Sequence, residues 1–342
     1  MRITNGMMSK NLLNNLQLNM KRMSRLNEQA ASGKLFDRPS DAPVAMAKSL
    51  KLYTDVSRVN QYERNLRDAQ SWLHSTEDAL HEVGEILHRA RELAVDMANG
   101  TKTESDTQKA AEEIKQLKDQ LIKLANTTHA GRSIFTGFQT DKKLLNDDGT
   151  YDINLGKDAS GALINEVSVY NVGVAESMEI NMLGSRLFGV VDDTAPNTKD
   201  VLPTGEATKL DVAKNEKSHF INVFDHLISA MGLDGGDGSV GGNGIENKFD
   251  QTKISSLIGN IDELKENALT LRAEVGAKTN RLEMTSKRLS SEELNFTTVL
   301  SENEDVDEAE IIMKFKMAEA VYNASLAMGG KTIQPTLVDF LR

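Results

Sequence analysis

The sequence contains no cysteine and only 5 prolines, and aromatic residues make up 5% of its 342 residues. The lack of cysteine excludes disulfide bonds, thiolate catalysis and cysteine-ligated metal sites. Large globular cores commonly use more aromatic side chains, whereas helical rods are built on aliphatic seams. No apolar run approaches the roughly 18 residues that a membrane-spanning helix needs. The composition therefore favours long helices and no membrane segment.

The charge balance is acidic, with 40 Lys and Arg against 51 Asp and Glu and a formal net charge of −11. An acidic chain is poorly suited to bind nucleic acid or an anionic membrane surface. Arg2 and Lys10 lie near the N-terminus, but no apolar h-region accompanies them. We therefore expect no cleaved secretory signal, so that export would use another route.

Two proline-free stretches, residues 44–195 and 204–334, leave room for long helices. Apolar residues recur every seven positions through 44–98, which predicts a helix about 80 Å long. Its two seam positions hold Leu52, Val59, Leu66, Leu73, Leu80, Leu87 and Ala94, and Tyr62, Ala69, Thr76, Val83, Ala90 and Met97. A further helix, capped by Thr103 or Ser105, is expected to follow.

A second heptad pattern runs through residues 254–299. Its seam holds Ile254, Ile261, Ala268, Val275, Leu282, Leu289 and Phe296, paired with Leu257, Leu264, Leu271 and Val299. The acidic stretch 302–310 predicts a joint, after which Asp305 or Asp307 caps a last helix. We expect this helix to end at Gly329–Gly330, because glycine commonly follows helix C-termini.

Both ends of the chain carry a narrow apolar stripe. The stripes consist of Leu13, Leu16, Met20 and Met23 with Ala30, and of Met313, Met317, Ala320, Ala324 and Ala327. Neither stripe is wide enough to stabilise an isolated helix. Each terminal helix must therefore find a partner, which is either the other terminus or another molecule.

The middle of the chain differs in kind, because residues 137–244 hold 15 of the 24 glycines. The segments "NEVSVYNVGV" and "AESMEINM" predict strands, and "GLDGGDGSVGGNG" predicts a loop. The pattern predicts a mainly α protein in which long coiled-coil-like rods from both chain ends run antiparallel and carry a small β-containing insertion. The predicted divisions are a terminal helix (1–43), rod helices (44–138), a β-rich insertion (139–247), a rod helix (248–302) and a terminal helix (303–342).

The sequence predicts no site for enzyme chemistry. Gly330-Lys331-Thr332 matches the end of a phosphate-binding loop, but Ser325 stands where its first glycine belongs. His74, His81 and His88 are about 10.5 Å apart along a helix, which is too far for one metal ion. We expect no catalytic residue, cofactor or metal; the remote alternatives are an enzyme carried by the middle domain and nucleotide binding at Lys331.

Several segments resemble a known family. The segments "SRLNEQAASGK" (24–34), "RELAVDMANGT" (91–101) and "NEDVDEAEIIMKFKMAEAVYNASLAMGG" (303–330), running into "QPTLVDFL", resemble the terminal regions of bacterial flagellins. In contrast, "FDRPSDAPVAMAKSL" (36–50) and "GRSIFTGFQT" (131–140) are similar to the hook–filament junction proteins of this flagellin-like family. The resemblance covers about residues 1–140 and 250–342.

The resemblance implies a structural role. In this family the terminal helices pair and line the inner tube of the flagellum, the rods form the next layer, and the insertion faces outward. Implied partners are hook-associated protein 1, flagellin, copies of the chain in a helical ring and an export chaperone. The implied location is the hook–filament junction, reached by flagellar type III export. A flagellin filament subunit is the alternative.

We expect the terminal stripes to fold together with assembly, because neither can stabilise its helix alone. By resemblance, Arg38–Pro39 is expected to form a fixed turn, since proline presets φ. The residues expected at subunit interfaces are Leu13, Leu16, Met20, Met23, Arg38, Pro39, Met313, Met317, Ala320, Ala324 and Ala327.

Overall fold

The computed structural model describes residues 5–99, 102–156, 166–190, 212–232 and 249–332. The chain divides into two compact units. The terminal unit consists of Met1–Asn60 with Ser290–Arg342, and the central unit of Gln61–Leu289. These divisions fall inside the two longest helices, each of which contributes residues to both units. The five-part division predicted from the sequence stays a prediction.

The described residues form long helices and two small antiparallel sheets, which confirms the predicted mainly α class. The helices are α1 (Asn5–Ser32), α2 (Pro43–Ala98), α3 (Glu104–Ala125), α4 (Gly184–Phe188), α5 (His219–Ala230), α6 (Gln251–Glu304) and α7 (Glu308–Thr332). The strands are β1 (Thr128–His129), β2 (Arg132–Ser133), β3 (Val169–Asn171) and β4 (Ser177–Glu179), paired as β1–β2 and β3–β4.

The heptad seams account for the packing of α2 and α6 in the central unit. Leu66, Leu73, Leu80 and Leu87 on α2 are each exposed by 1% or less. Ile261, Ala268, Val275, Leu282 and Leu289 on α6 are each exposed by 3% or less. Ion pairs join Arg91 to Asp262 and Glu77 to Arg272, so the two helices run antiparallel. The sequence pattern therefore predicted both the rods and the residues on their seams.

The central unit also contains a small core that heptad patterns did not reveal. The rings of Phe188, Phe220 and Phe224 follow one another at centroid distances of 5.6 and 6.1 Å. Helix α5 packs on α3, where the ammonium of Lys118 donates a hydrogen bond to the Asp225 carboxylate at 2.8 Å. Helix α5 was missed by the sequence interpretation, although it lies within the predicted insertion.

The β3–β4 hairpin lies across both rods. On one side, the Asn65 side chain of α2 donates a hydrogen bond to the Asn171 carbonyl at 2.9 Å. On the other side, the Glu176 carboxylate receives Arg281 at 3.0 Å and Arg288 at 2.6 Å, both from α6. Both strands coincide with segments predicted to be strands, and the hairpin connects the two rods.

The predicted caps can be compared with the observed helix ends. Asp307 caps α7, since its carboxylate accepts hydrogen bonds from the amides of Ala309 and Glu310. The expected end of α7 at Gly329–Gly330 is wrong, because the helix continues to Thr332. Gly329 instead serves close packing, as described below. The predicted glycine-rich loop over residues 233–244 and the tail beyond Thr332 lie outside the described residues.

Candidate assembly interface

Helices α1 and α7 form an antiparallel pair in the terminal unit. Asn19 of α1 donates a hydrogen bond to the Ser325 hydroxyl of α7 at 3.3 Å. Gly329 faces Leu12 so closely that a Cβ on the glycine would lie 2.9 Å from the Leu12 Cδ2 atom. The buried or half-buried positions on this shared side are Leu12, Leu16, Asn19, Met23 and Leu26, and Ile311, Phe315, Ala318, Tyr322, Ser325 and Gly329.

The pair has very little interior. Among the residues of α1 with described burial, only Leu26 is fully buried, and in α7 only Ile311 and Gly329 are. By contrast, the α2 seam in the central unit is buried on nearly every heptad turn. The hydrophobic free energy available to the isolated pair is therefore small compared with the conformational entropy of ordering two helices.

Helix α7 has a second apolar side. Its members, Met313, Met317, Ala320, Ala324 and Ala327, recur at steps of three and four residues and are all exposed. At about 100° per residue they lie on the opposite side of the helix from Phe315 and Tyr322. A helix that is apolar on two opposite sides is normally buried on both. No described residue of the chain covers this second side, which we call the outer face of α7.

Helix α1 also exposes apolar residues away from α7. Leu13, Leu18 and Met20 are 60%, 64% and 50% exposed. A shallow groove of about 680 Å³ follows this side and is lined by Asn14, Gln17, Leu18, Met20, Lys21 and Ser24. Lys21 is the single titratable residue in this lining, so the groove lacks the paired acid and base that catalysis would require.

The predicted interface residues separate into two groups. Leu16 and Met23 are half-buried on the side that α1 shares with α7, so for them the partner is the other terminus. The remaining nine are exposed: Leu13, Met20, Arg38, Pro39, Met313, Met317, Ala320, Ala324 and Ala327. Their role at subunit contacts stays a prediction.

A joint of backbone and side-chain contacts connects the segment that follows α1 with the end of α6. Leu35 donates its amide to the Glu304 carbonyl at 2.7 Å, and Val306 donates to the Gly33 carbonyl at 3.1 Å. Gly33 has a φ of 71°, a conformation that favours glycine and ends α1. The acidic stretch 302–310 is the predicted joint, but the sequence offers no signal for partners so distant along the chain.

The joint encloses a charged cluster. The Lys34 ammonium forms an ion pair with the nearly buried Glu304 carboxylate and donates a hydrogen bond to the Tyr53 hydroxyl at 3.0 Å. Tyr53 in turn donates to Glu304 at 3.1 Å. The hydrogen bonds with Glu304 and Tyr53 raise the pKa of Lys34 above its usual range. This cluster connects the segment after α1 to Tyr53 of α2 and to Glu304 at the end of α6.

The expected turn at Arg38–Pro39 is present between α1 and α2. The Asp41 amide donates to the Arg38 carbonyl at 3.0 Å, which places Pro39 at the second position of a four-residue turn. Proline suits that position because its fixed φ matches the turn. Arg38 and Pro39 are exposed, whereas the neighbouring Phe36 is buried.

The described part of the chain shows no cluster of three His, Asp or Glu side chains able to hold a metal ion. Within the same ranges, no helix combines the length and apolar character needed to cross a lipid bilayer. Gly330, Lys331 and Thr332 match the end of the phosphate-binding loop motif, and they lie in the last turn of α7. They are therefore helical, whereas a phosphate-binding loop precedes its helix.

Comparison with known protein families matches both helical ends of the sequence. The bacterial flagellin N-terminal helical region matches residues 3–140, and the bacterial flagellin C-terminal helical region matches residues 258–341. Together these regions cover more than half of the chain. The chain therefore belongs to the flagellin-like family of bacterial flagellar proteins.

Individual proteins of this family are similar to the chain over most of its length. Flagellar hook-associated protein 3 of Salmonella typhimurium is 27% identical over 95% of both chains, and Bacillus subtilis flagellin is 27% identical over 96% of this chain and 95% of its own. A solved structure of a flagellar hook-associated protein from Vibrio parahaemolyticus has a TM-score of 0.56 at 24% identity. It covers 78% of this chain and 100% of its own. This last likeness concerns the fold.

Proposed function

We propose that this chain is a non-enzymatic adaptor subunit that joins the flagellar hook to the flagellin filament. The observation that carries the proposal is the outer face of α7, which is apolar and uncovered within the described chain. Members of this family assemble into flagella, and contacts between subunits would bury such a face. The similarity to hook-associated protein 3 over nearly the whole chain supports the junction position.

The outer face is chemically suited to helix packing between subunits. Ala320, Ala324 and Ala327 permit close approach of another helix, and Met313 and Met317 can adjust to irregular surfaces. Hydrophobic burial contributes about 25 cal/mol per Å² of apolar surface removed from water. In the assembly, the outer face of one subunit packs on the α1 groove of the next. Because these two surfaces differ, the contact is heterologous and generates a helical ring of copies rather than a closed dimer.

Assembly is coupled to ordering of the terminal helices. Only Leu26, Ile311 and Gly329 are fully buried in the isolated pair, so covering the outer face supplies the missing free energy. Limited proteolysis of the monomer should remove roughly 40 residues from each end and leave a resistant central fragment. Protection of both termini in the free monomer would exclude coupled folding.

The partners follow from the junction position. One axial side of the ring meets hook-associated protein 1 and the other meets flagellin. Before assembly, an export chaperone covers the exposed terminal helices. Export proceeds through the flagellar type III route, and the final location is the hook–filament junction outside the cell.

The second candidate is a flagellin filament subunit, because Bacillus subtilis flagellin matches over an equal share of the chain. The segments 36–50 and 131–140, which resemble junction proteins, favour the first candidate. A deletion strain separates the two. Loss of a junction subunit should leave hooks without filaments and release flagellin into the medium, whereas loss of the filament subunit would leave no flagellin to release.

A further inference from the structure

Methionine is the sole sulfur-containing residue type of this chain, and its side chains are unevenly exposed. In the terminal unit, exposures lie between 43% and 70% for Met7, Met8, Met20, Met313, Met317 and Met328. In the central unit, exposures are at most 6% for Met97, Met178, Met182 and Met231. Met284 on α6 is an exception there, with 65% exposure. The accessible thioethers are thus concentrated on the helices proposed to mediate assembly.

We infer that the exposed methionines of α1 and α7 form an oxidation site, at which a peroxide-class oxidant blocks assembly by converting thioethers into sulfoxides. The inference rests on the proposed function, because it concerns regulation of the same surface. Methionine sulfoxide is polar, and burying an unpartnered polar group against an apolar helix is unfavourable. Met313 and Met317 lie on the outer face of α7 together with Ala320, Ala324 and Ala327, which offer no hydrogen-bonding side chain to a sulfoxide.

The oxidation step is balanced with hydrogen peroxide. A lone pair of the methionine sulfur attacks one peroxide oxygen, the O–O bond breaks, and an S–O bond forms. Sulfur loses two electrons, and the second peroxide oxygen leaves as water after taking up the transferred hydrogen. The reverse step uses a methionine sulfoxide reductase and two thiols, which become a disulfide while the oxygen leaves as water.

Oxidation of the outer face can occur only before the subunits assemble. The side chains are accessible in the single chain, whereas contacts between assembled subunits would cover those on the outer face. Oxidation therefore acts on subunits that have not yet assembled. The buried methionines of the central unit are protected, so the fold of that unit should persist while the terminal surface changes.

The test uses full-length purified chain and hooks isolated from a strain lacking it. Attachment of the chain to hook ends is counted by electron microscopy before and after peroxide treatment, with sulfoxides mapped by mass spectrometry. The terminal methionines and Met284 should oxidise first, and attachment should fall about tenfold or more. Reductase treatment should restore it, and circular dichroism should show that the central unit remains helical.

Two variants distinguish oxidation of the terminal methionines from oxidative damage elsewhere in the chain. For a variant in which leucine replaces the six exposed terminal methionines, attachment after peroxide treatment should equal attachment of the same variant before treatment. Met284→Leu, the matched control, should leave attachment as peroxide-sensitive as in the original chain. Equal attachment of oxidised and untreated chain, or peroxide sensitivity of the six-leucine variant, would overturn the inference. Failure of the untreated chain to attach would instead contradict the proposed function.

Discussion

Gly329 of α7 lies directly against Leu12 of α1, where a Cβ on the glycine would lie 2.9 Å from the Leu12 Cδ2 atom and would displace that side chain. A helix interior would otherwise disfavour glycine by about 1 kcal/mol relative to alanine. The contact with Leu12 therefore explains why a glycine occupies this position within α7.

Gly329→Val should weaken the α1–α7 pair by about 1 to 3 kcal/mol, because the added methyl groups overpack the contact with Leu12. The chain lacks cysteine, so cysteines introduced at Asn19 and Ser325 can report pairing in assembled subunits through their crosslinking yield. Gly330→Val is the matched control, since nothing lies within 4 Å of a Cβ at that position. Equal yields in the two valine variants would refute close packing at Gly329.

The ion pair between Lys118 and Asp225 should be a main determinant of stability in the central unit. Asp225 also contacts the Lys217 ammonium at 3.0 Å, and its side chain is 9% exposed. Asp225→Ala should lower the free energy of unfolding by about 3 to 5 kcal/mol, because buried positive charge loses its partner. Urea denaturation measures the change.

The matched control for that prediction is an exposed ion pair. Arg89 and Glu113 approach to 2.7 Å, but their side chains are 50% and 42% exposed. Glu113→Gln should leave the free energy of unfolding nearly unchanged, because water screens an exposed ion pair. A comparable loss in both variants would show that burial does not distinguish the two pairs.

His219 should make the central unit less stable in acid. Burial, together with the nearby His226, lowers the pKa of His219 from 6.5 to about 4. Between these values the unfolded chain binds a proton that the folded chain does not, so stability falls as pH falls through this window. The loss approaches about 3 kcal/mol below pH 4.

His219→Gln should remove this part of the pH dependence. Urea denaturation at pH 7.5, 6.5, 5.5 and 4.5 should give a shallower slope for the variant than for the original chain. The comparison at pH 7.5 corrects for any loss of packing, since His219 is neutral in both states there. Parallel slopes would rule out a buried neutral imidazole.

Glu176 should hold the β3–β4 hairpin on α6. Hydrogen bonds from Arg288 and Arg281 lower the pKa of its carboxyl group. Its contribution to stability is therefore present above pH 4.5, the ordinary value, and lost as pH falls further. Glu176→Gln should increase hydrogen exchange in residues 169–179, with a cost of about 1 kcal/mol because the arginines are half-exposed. Glu179→Gln, an exposed change in the same hairpin, should leave exchange unaltered.

The sequence predicted the helices that carry a repeated apolar pattern. It did not predict features that depend on residues far apart along the chain. Heptads located α2 and α6 to within a few residues, and the cap at Asp307 was one of two named candidates. Helix α5 was missed although Phe220, Phe224 and Leu227 have helical spacing, because the surrounding glycines and strands dominated the interpretation. A 12-residue helix between such segments gives a weak periodic signal.

The terminal stripes show a different limit. Periodicity predicted one apolar stripe on α7, but it gave no sign of the second side, with Phe315 and Tyr322, that packs on α1. Phe315 and Tyr322 face α1, whereas Met317 and Ala324 face away, and both sets follow the same spacing. The pairing of Lys34 with Glu304 was equally inaccessible, because nothing local marks two residues so far apart along the chain.

The most direct test of the account places a charge on the outer face of α7. Ala324→Glu keeps a strong helix former but puts a carboxylate where a neighbouring subunit should pack. Asn323→Glu, one residue earlier on the polar side of the helix, is the matched control. Each variant is expressed in a deletion strain, and the fraction of hooks that carry filaments is counted by electron microscopy. We predict that Ala324→Glu is exported but leaves hooks bare, while Asn323→Glu restores filaments; filaments at the original frequency with Ala324→Glu would contradict the account.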